Sequence, residues 1–419
     1  MSETSYTTIG MIGLGYIGLP TAALLASRGM QVIGVDVDAH AVDTINEGKV
    51  HIVEPDLDIV VRSTVTTGNL RATLKPEPCD AFLVAVPTPF KDDHAPDLKY
   101  IESAARALAP VLVAGNLVVL ESTSPVGTTE KLSEWLAAAR PDLSFPHQVG
   151  DAADVQVAHC PERVLPGQVL QELVANDRVI GGMTPTCARA AERLYSSFVK
   201  GECILTTART AELCKLTENA SRDVSIAFAN ELSLVCDLLD VDVWELIELA
   251  NRHPRVNILQ PGPGVGGHCI AVDPWFIVHS APDQAQLIRT AREVNDGKPA
   301  AVISRVRARA QRFREPRIAC FGLAFKADID DLRESPACRI VEALADEGIG
   351  PLLVVEPNVD ALPPSLTGRD NVTLVDERTA LADADIVVGL VDHRSFRAIS
   401  HSALDEKIVI DTRGMWRKS

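Results

Sequence analysis

Short apolar runs alternate with stretches of helical periodicity over residues 8–200. This alternation is typical of a parallel sheet that is covered by helices on both faces. We predict strands at residues 8–12, 31–36, 81–86, 117–121 and 179–181. The alternation returns after Arg314-Glu315-Pro316, and the strands predicted there are residues 317–321, 352–356, 385–390 and 407–411.

Residues 208–250 have a different pattern. Polar and apolar residues interleave at helical spacing, and neither glycine nor proline interrupts them, so we expect long helices. A long helix between two sheet domains often forms the seam of a dimer, although a helix buried within one subunit explains the pattern equally well. The predicted fold class is α/β, with two Rossmann-like doubly wound domains, residues 1–205 and 314–419, joined by a central helical domain, residues 206–313. We expect a homodimer or a higher homo-oligomer.

Composition and charge exclude several classes of protein. The net charge is −17, which argues against nucleic acid or an anionic membrane as the main partner. The nine cysteines contain no CxxC pair and no metal-ligand spacing, so we expect reduced thiols, a cytosolic location and no metal site. The first five residues lack a basic segment followed by an apolar run, so we expect no signal peptide. No apolar run reaches about 18 residues, so we also expect no membrane span.

A glycine-rich turn follows the first predicted strand. Gly13, Gly15 and Gly18 fit the G-x-G-x-x-G pattern, in which the glycines permit a tight turn, close approach of pyrophosphate and packing of helix on strand. Asp36 ends the next predicted strand, where its carboxylate can bind ribose hydroxyls and repel a 2′-phosphate. The pattern therefore favours NAD over NADP, and a glycine-rich turn with a surface aspartate is the simpler alternative. The residues predicted to bind the cofactor here are Gly13, Gly15, Tyr16, Ile17, Gly18 and Asp36.

Two later strands also end in segments that suit a ligand site. Pro87 and Thr88 follow the strand predicted at 81–86, and Thr123 follows the strand predicted at 117–121. Ligands bind at the carboxyl ends of strands in doubly wound sheets. Ordinary proline-containing loops would have the same sequence, so each segment alone leaves both explanations open.

Cys269 ends a glycine-rich loop and precedes Asp273 by four residues. A single cysteine is more often an inert core residue, but the glycines leave little side-chain bulk to bury this one. Lys215 and Asn219 share one helix face at i and i+4, where they can hold an oxyanion or receive a proton. A thiolate needs its pKa lowered by a cation or a helix N-terminus, and as the cation Lys215 is preferred to the sequence neighbour His268.

These segments together resemble the family of nucleotide-sugar dehydrogenases that oxidise UDP-glucose, GDP-mannose and their N-acetylamino relatives. The resemblance covers nearly the whole chain and includes the Pro161-Glu162 and Phe325-Lys326 segments. It implies an NAD-dependent oxidation that uses NAD twice and passes from a primary alcohol through a thiohemiacetal and a thioester on Cys269 to a carboxylate. The catalytic residues that it implies are Cys269 as nucleophile, Lys215 and Asn219 at the oxyanion, Asp273 near the thiol or water, and Glu162 and Thr123 around the hydrolytic water.

The resemblance also implies the ligands. Residues 215–224 and 251–262 are similar to the branch that oxidises UDP-N-acetyl-D-mannosamine, and Arg333 resembles a cofactor contact. Asp223 stands where glucose-specific members often have a basic residue, and Val272 where a lysine is common, so the glucose enzyme's proton path does not transfer directly. The residues expected to bind the sugar nucleotide are Glu162, Arg163, Lys215, Asn219, Arg222, Arg252, His253, Arg255, Gly266, Lys326 and Arg413.

Several functions remain open at this point. UDP-N-acetylglucosamine or UDP-glucose are alternative substrates for the same machinery. A two-electron dehydrogenase of the hydroxyacid type would share the N-terminal fold but would not need Cys269. A non-catalytic sensor of nucleotide sugars would bind both ligands without turnover.

Overall fold

The computed structural model describes residues 6–52, 54–91, 94–164, 167–267 and 269–417. The chain divides into two compact units, Met1–Glu218 and Asn219–Ser419. Within the described residues, none of the helices combines the length and the apolar character that crossing a membrane requires.

The first unit contains one sheet with the strand order β3-β2-β1-β4-β5-β6-β7-β8. All neighbouring pairs are parallel except β6 and β7, which are antiparallel. The five predicted strands are confirmed, most of them with slightly shorter bounds, whereas β3, β6 and β8 were not predicted. The strands are β1 (Thr8–Ile12), β2 (Gln31–Val35), β3 (Leu70–Thr73), β4 (Ala81–Val84), β5 (Leu117–Leu120), β6 (Gln156–His159), β7 (Arg178–Gly182) and β8 (Cys203–Thr207).

Helices cover both faces of this sheet. Successive residues of β5 point to opposite faces, so that Val119 packs in one apolar cluster while Val118 and Leu120 pack in the other. The strand order reverses between β1 and β4, and the loops that follow these strands therefore diverge and leave a crevice. The helices are α1 (Gly18–Ser27), α2 (Ala39–Asn46), α3 (Leu57–Thr66), α4 (Lys99–Leu108), α5 (Thr128–Ala139), α6 (Pro146–Val149), α7 (Val169–Ala175) and α8 (Pro185–Tyr195).

The predicted long helices are confirmed as α9 (Ala208–Leu239) and α10 (Val243–Ala250). Residues 218 and 219, at the boundary of the two units, lie within α9. The Asp242 carboxylate begins α10, because it accepts the backbone N–H groups of Trp244 and Glu245 at 2.8 and 3.0 Å. Such a cap satisfies donors that have no partner inside the helix.

The second unit contains a parallel sheet with the strand order β11-β10-β9-β12-β13. Its four predicted strands are confirmed, and β11 was not predicted. The strands are β9 (Ile318–Phe321), β10 (Leu352–Val355), β11 (Val372–Leu374), β12 (Ile386–Gly389) and β13 (Ile408–Asp411). The remaining helices are α11 (Asp273–Ser280), α12 (Gln286–Ala310), α13 (Pro336–Asp346), α14 (Glu377–Asp383) and α15 (Arg394–Arg397).

The turn after β9 repeats the turn after β1. Gly13 and Gly322 both have a positive φ, +92° and +101°. The N–H of each donates at 2.8 Å to the last carbonyl of the adjacent strand, in β2 and β10 respectively. Each adjacent strand is followed by an acidic residue, Asp36 or Glu356. The chain therefore contains two turns of the Rossmann type.

The two acidic residues differ in their surroundings. Asp36 is half-buried, whereas Glu356 is buried. One oxygen of Glu356 accepts the N–H groups of Leu323 and Ala324 at 2.7 and 3.0 Å and lies 3.1 Å from Nε2 of His393. His393 Nδ1 accepts the backbone N–H of Asp328. The ring hydrogen therefore lies on Nε2, which donates a hydrogen bond to Glu356. In the second turn, hydrogen bonds from the loop and from His393 thus hold the Glu356 carboxylate.

A buried ion pair links α9 to α12 within the second unit. Arg292 Nη1 donates to Asp223 Oδ1 at 2.6 Å, and Asn295 donates to the same oxygen at 2.8 Å. Both charged side chains are almost fully buried. Asp223, which departs from the glucose-specific pattern, therefore has a structural partner. Asn295 also accepts a hydrogen bond from Nδ2 of Asn230 at 2.8 Å, and Oδ1 of Asn230 accepts the N–H of Gly262 at 2.8 Å.

We expect Asp223→Ala to lower the free energy of unfolding by up to about 3–5 kcal/mol, because it removes the buried carboxylate partner of the Arg292 guanidinium and leaves only the partly exposed Asp296. Urea denaturation followed by circular dichroism measures this change. The matched control is Glu102→Ala, which removes an exposed i,i+4 partner of Arg106 and should cost about 1 kcal/mol or less. Equal effects of the two substitutions would contradict the assigned role of the buried pair.

Candidate functional site

In the glycine-rich loop of the first unit, a side chain would have space at Gly15 but not at Gly18. An ideal Cβ on Gly18 would lie 1.8 Å from the carbonyl oxygen of Gly13, so the helix packs directly on the turn. Around an ideal Cβ on Gly15, no heavy atom lies within 4 Å. The backbone at Gly15 is therefore open to a ligand. The amide groups at the start of α1 favour an anion such as pyrophosphate.

The carboxylate of Asp36 lies against this loop. Its Oδ2 accepts the N–H of Leu14 at 2.9 Å, and its Oδ1 accepts the N–H of Asp38 at 3.0 Å. The side chain is half-buried, and the neighbouring Tyr16 is exposed. This arrangement suits hydrogen bonds to ribose hydroxyls and places a negative charge where NADP would carry a phosphate.

The segments that follow β4 and β5 also contact each other, at the carboxyl ends of these strands. The hydroxyl of Ser122, after β5, accepts the N–H of Val86 at 2.9 Å and donates to the Val86 carbonyl at 2.7 Å. This contact joins the segment of Pro87 and Thr88 to the segment of Thr123. Among the described residues, the buried hydroxyl of Thr88 has no hydrogen-bond partner. With the open Gly15 and the Asp36 carboxylate, these residues fit a bound dinucleotide.

Lys215 lies between two anchors on the first turns of α9. One anchor is Glu212, whose buried carboxylate accepts the N–H groups of Gly127 and Thr129 at 2.6 and 2.7 Å at the start of α5. Burial raises the pKa of Glu212. The other anchor is an ion pair of 2.6 Å between Glu218 and Arg163. Lys215 is half-buried, and no carboxylate of its own unit, among the described residues, lies within ion-pair distance.

Glu162 is held by a partner that the sequence did not reveal. Its Oε2 accepts from Nη1 of Arg178 at 2.5 Å, and its Oε1 accepts the N–H of Arg163 at 2.6 Å. Both members of the ion pair are buried. Arg178 begins β7, just outside the predicted strand 179–181, and a charged residue at a strand end gives no signal of its partner.

Cys269, in the second unit, lies at the turn that leads into α11. All nine cysteines lie in the described part of the chain, and Cys269 is the exposed one. Its carbonyl oxygen accepts the N–H of Asp273 at 2.9 Å. The buried carboxylate of Asp273 in turn accepts from Nδ2 of Asn219 at 2.5 Å. Three predicted site residues therefore meet here, whereas His268 lies outside the described residues.

The glycines before Cys269 allow close packing as well as exposure. An ideal Cβ on Gly266 would lie 2.6 Å from the carbonyl oxygen of Glu334, and one on Gly267 would lie 3.0 Å from the ring of Phe325. The loop is thus pressed against the segments that contain Lys326 and Arg333. The glycine pattern reflects this contact, which the sequence alone did not indicate.

The predicted basic contacts of the second unit differ in their partners. Arg333 binds Asp331 through Nη2 at 2.6 Å, and Arg413 binds Asp392 through Nη2 at 2.8 Å. Arg413 also lines a cavity of 350 Å³ together with Arg397 and Arg417. The other predicted basic contacts in this unit are exposed, namely Arg222, Arg252, His253, Arg255 and Lys326.

We expect Gly15→Ala and Gly18→Ala to act differently. The methyl group at Gly15 has room in the protein but obstructs the approach of pyrophosphate, so this variant should melt like the wild type and bind NAD at least about tenfold more weakly. The methyl group at Gly18 collides with the Gly13 carbonyl, so this variant should lower the melting temperature itself. Calorimetric titration with NAD and thermal melting separate the two effects, and unchanged NAD affinity in Gly15→Ala would contradict the assignment.

Three family models match the chain in order. They belong to the UDP-glucose/GDP-mannose dehydrogenase family and describe its NAD binding domain at residues 7–199, its central domain at residues 209–297 and its UDP binding domain at residues 319–418. The presence of the NAD binding domain agrees with the fit of the glycine loop to a dinucleotide.

Similar proteins extend over the whole chain. An NDP-N-acetyl-D-galactosaminuronic acid dehydrogenase from Ralstonia nicotianae is 67% identical over 99% of this chain and 97% of its own length. A UDP-N-acetyl-D-mannosamine dehydrogenase from Yersinia pestis is 63% identical over 99% of this chain and 100% of its own length. The solved structure of a UDP-D-ManNAc dehydrogenase from Pyrococcus horikoshii has a TM-score of 0.86 at 38% identity and covers 98% of this chain and 96% of that chain. The chain belongs to the UDP-glucose/GDP-mannose dehydrogenase family and is an NAD-dependent nucleotide-sugar dehydrogenase.

Proposed function

We propose that the protein oxidises UDP-N-acetyl-D-mannosamine to UDP-N-acetyl-D-mannosaminuronate. The observation that carries the proposal is the exposed thiol of Cys269 at a turn bound to the Asn219–Asp273 pair. Relatives that are 63% identical and named for UDP-N-acetyl-D-mannosamine support the choice of sugar. NAD, when bound, supplies the hydride acceptor, and two equivalents are consumed for each sugar.

Cys269 provides the covalent step. Its sulfur adds to the carbonyl carbon of the aldehyde that forms from the primary alcohol, and the thiohemiacetal that results loses a hydride and a proton to become a thioester. Water then adds to the carbonyl carbon, the carbon–sulfur bond breaks with its electron pair on sulfur, and the carboxylate is released. The reaction needs an accessible sulfur, which the exposure of Cys269 provides.

Lys215 and Asn219 stabilise the charge that develops on the sugar oxygen. Lys215 carries a cation that has no carboxylate partner within its own unit among the described residues, so its charge remains available to substrate. Asn219 gives one N–H to Asp273, and its amide has a second N–H to donate. Preorganised donors of this kind contribute strongly when they point at the developing oxyanion.

A second candidate substrate is a nucleotide-linked N-acetyl-D-galactosamine, a stereoisomer of the first sugar. Relatives that are 67% and 66% identical are named for N-acetyl-D-galactosaminuronic acid, and the two sugars differ only in the configuration of ring carbons. UDP-N-acetylglucosamine and UDP-glucose are the remaining alternatives. Asp223 departs from the glucose-specific pattern, and its partner is the buried Arg292.

We further propose that the protein is a homodimer formed through α9. Phe228, Val235 and Leu239 are 53%, 44% and 64% exposed, and their spacing of seven and four residues places them on one side of the helix. An exposed apolar stripe of this kind is typical of an interface. This surface favours the dimer over a helix that is buried within one subunit.

The remaining assignments concern the organisation and location of the chain. We propose the domain limits 1–205, 206–313 and 314–419, which the order of the three family models supports. We also propose a cytosolic location, which the nine cysteines support, since among the described residues none of them forms a disulfide and reduced thiols are the rule in that compartment.

We expect two NADH for each UDP-N-acetyl-D-mannosamine consumed, because the thioester route removes two hydrides before the product leaves. Absorbance of NADH and chromatography of the sugar nucleotides give the ratio. Parallel reactions contain UDP-N-acetylgalactosamine, UDP-N-acetylglucosamine and UDP-glucose, and Cys269→Ala is the matched variant. We expect this variant to form no uronate.

Each result has a distinct meaning. Two NADH with another sugar would retain the mechanism and replace the substrate. One NADH with aldehyde release, or a fully active Cys269→Ala variant, would favour the two-electron hydroxyacid type. Binding of NAD and sugar nucleotide without any turnover would favour the sensor.

We expect Phe228→Asp combined with Leu239→Asp to convert the dimer into a monomer, because a charge in the centre of an apolar interface cannot be solvated. Sedimentation velocity at micromolar concentration measures the change. The control is Val37→Asp, at a site in the first unit that is 98% exposed and outside the stripe. A wild-type monomer, or a double variant that remains dimeric, would rule out this interface.

A further inference from the structure

One side of α9 carries three polar residues. Asn219, Asp223 and Asn230 are separated by four and seven residues, and these spacings place them on the same side of a helix. Asp223 and Asn230 are fully buried, and Asn219 is half-buried. At a rise of about 1.5 Å per residue, Asn219 and Asn230 lie roughly 16 Å apart along the helix axis. A buried asparagine needs hydrogen-bond partners, so the contacts of Asn230 indicate what it holds.

Asn230 joins the start of the Cys269 loop to α12. This loop begins at Gly262, whose N–H donates to Oδ1 of Asn230 at 2.8 Å. Nδ2 of Asn230 donates in turn to Oδ1 of Asn295 at 2.8 Å. Asn230 and Asn295 are 0% and 1% exposed, and Gly262 is buried as well. Removal of the Asn230 amide would therefore leave the N–H of Gly262 buried without its acceptor.

The amide of Asn230 has one allowed orientation. Nδ2 of Asn295 donates to the carbonyl oxygen and to the carboxylate of Asp223 at 3.1 and 2.8 Å, so the side-chain oxygen of Asn295 faces Asn230 and can only accept. The N–H of Gly262 can only donate. The residue at position 230 must therefore supply one donor and one acceptor, each to a fixed partner.

The far end of the Cys269 loop is held by the same helix. The Cys269 carbonyl oxygen accepts the N–H of Asp273, and the Asp273 carboxylate accepts from Nδ2 of Asn219. The glycines in the loop have the widest choice of backbone conformations, so they do not fix its path by themselves. Asn230 and Asn219 thus hold the two ends of the loop against one helix.

We propose that Asn230 is a positioning residue, which holds the start of the Cys269 loop so that the sulfur is placed to capture the aldehyde. The inference rests on the proposed function. In the capture step the sulfur forms a bond to the aldehyde carbon, the π electrons of the carbonyl group move to its oxygen, and the thiol proton ends on that oxygen, with no change of oxidation state. The first hydride transfer needs no sulfur. A displaced loop should therefore release aldehyde after a single NADH has formed.

The first test measures how the products of Asn230→Ala divide between aldehyde and uronate. Reactions contain NAD, the sugar nucleotide that the wild type oxidises, and semicarbazide, which condenses with a free aldehyde to give a semicarbazone and water. We expect uronate formation to slow on the order of 100-fold, the effect of a misplaced catalytic group, and the ratio of NADH to uronate to rise above two. Mass spectrometry should detect the semicarbazone of the sugar nucleotide.

A conservative variant keeps the test decisive if Asn230→Ala does not fold. Asn230→Asp retains the oxygen that accepts the N–H of Gly262 and loses the N–H that Asn295 accepts. It should therefore release a larger fraction of aldehyde than the wild type and a smaller fraction than Asn230→Ala.

Ser233→Ala is the matched control. Oγ of Ser233 donates to the Asn230 carbonyl at 2.6 Å and accepts from Nζ of Lys298, so this buried hydroxyl bonds to α9 and α12 and not to Gly262. The variant should lower the melting temperature and keep two NADH per uronate. A merely structural role of Asn230 would likewise lower the melting temperature or slow all steps together, without a change in the ratio of NADH to uronate.

The outcomes separate this inference from the proposed function. If the wild type forms only one NADH per sugar, or if Cys269→Ala forms uronate, the proposed function fails. If the wild type forms two NADH and the Asn230 variants keep that ratio, the proposed function stands and the positioning role of Asn230 is overturned. Aldehyde release from Ser233→Ala equal to that from Asn230→Asp would also overturn it.

Discussion

Carboxylates that accept backbone N–H groups hold the loops on which the site depends. Loops at the carboxyl ends of strands expose N–H groups that no strand or helix satisfies, and hydrogen bonds to a charged acceptor contribute about 1.5–3 kcal/mol each. The same device occurs at several loops in the described part of the chain. It joins Asp36 to Leu14, Glu54 to Gly167 and Val169, Glu212 to Gly127 and Thr129, and Glu356 to Leu323 and Ala324. The acidic residues that form these contacts thus contribute to the negative net charge, which argued against nucleic acid as a partner.

The sequence revealed those elements whose apolar pattern is continuous and local. The fully buried β4, β5 and β12 could be predicted because uninterrupted apolar runs require burial on both faces. The edge strand β8 could not, since all five of its residues are at least partly exposed. Helix α12 lies within the predicted helical domain, but its bounds were not predicted because it contains Gly297 and Pro299, which usually interrupt helices. Here Pro299 is buried within the helix, so tertiary packing outweighs the local preference.

The residues of the candidate site likewise differ in whether the sequence alone identifies them. Gly13, Gly15 and Cys269 could be found from sequence because a tight turn and a glycine-rich loop are local requirements. Arg178 could not be found, since its partner Glu162 is brought to it only by the sheet. Asp223 was recognised as a departure from a pattern, but its cause, the buried Arg292, is likewise visible only in three dimensions.

The second Rossmann turn differs from the first in a way that bears on how the proposed reaction uses NAD. At the place of the open Gly15 it has Ala324, and its carboxylate, Glu356, is bound to its own loop and to His393. In the part of the chain that the structure describes, one of the two turns therefore remains suited to a dinucleotide. A reaction that removes two hydrides at one such site must pause while NADH is exchanged for NAD. An aldehyde held only by hydrogen bonds would escape during this pause, and the bond to sulfur is the tether that prevents its loss.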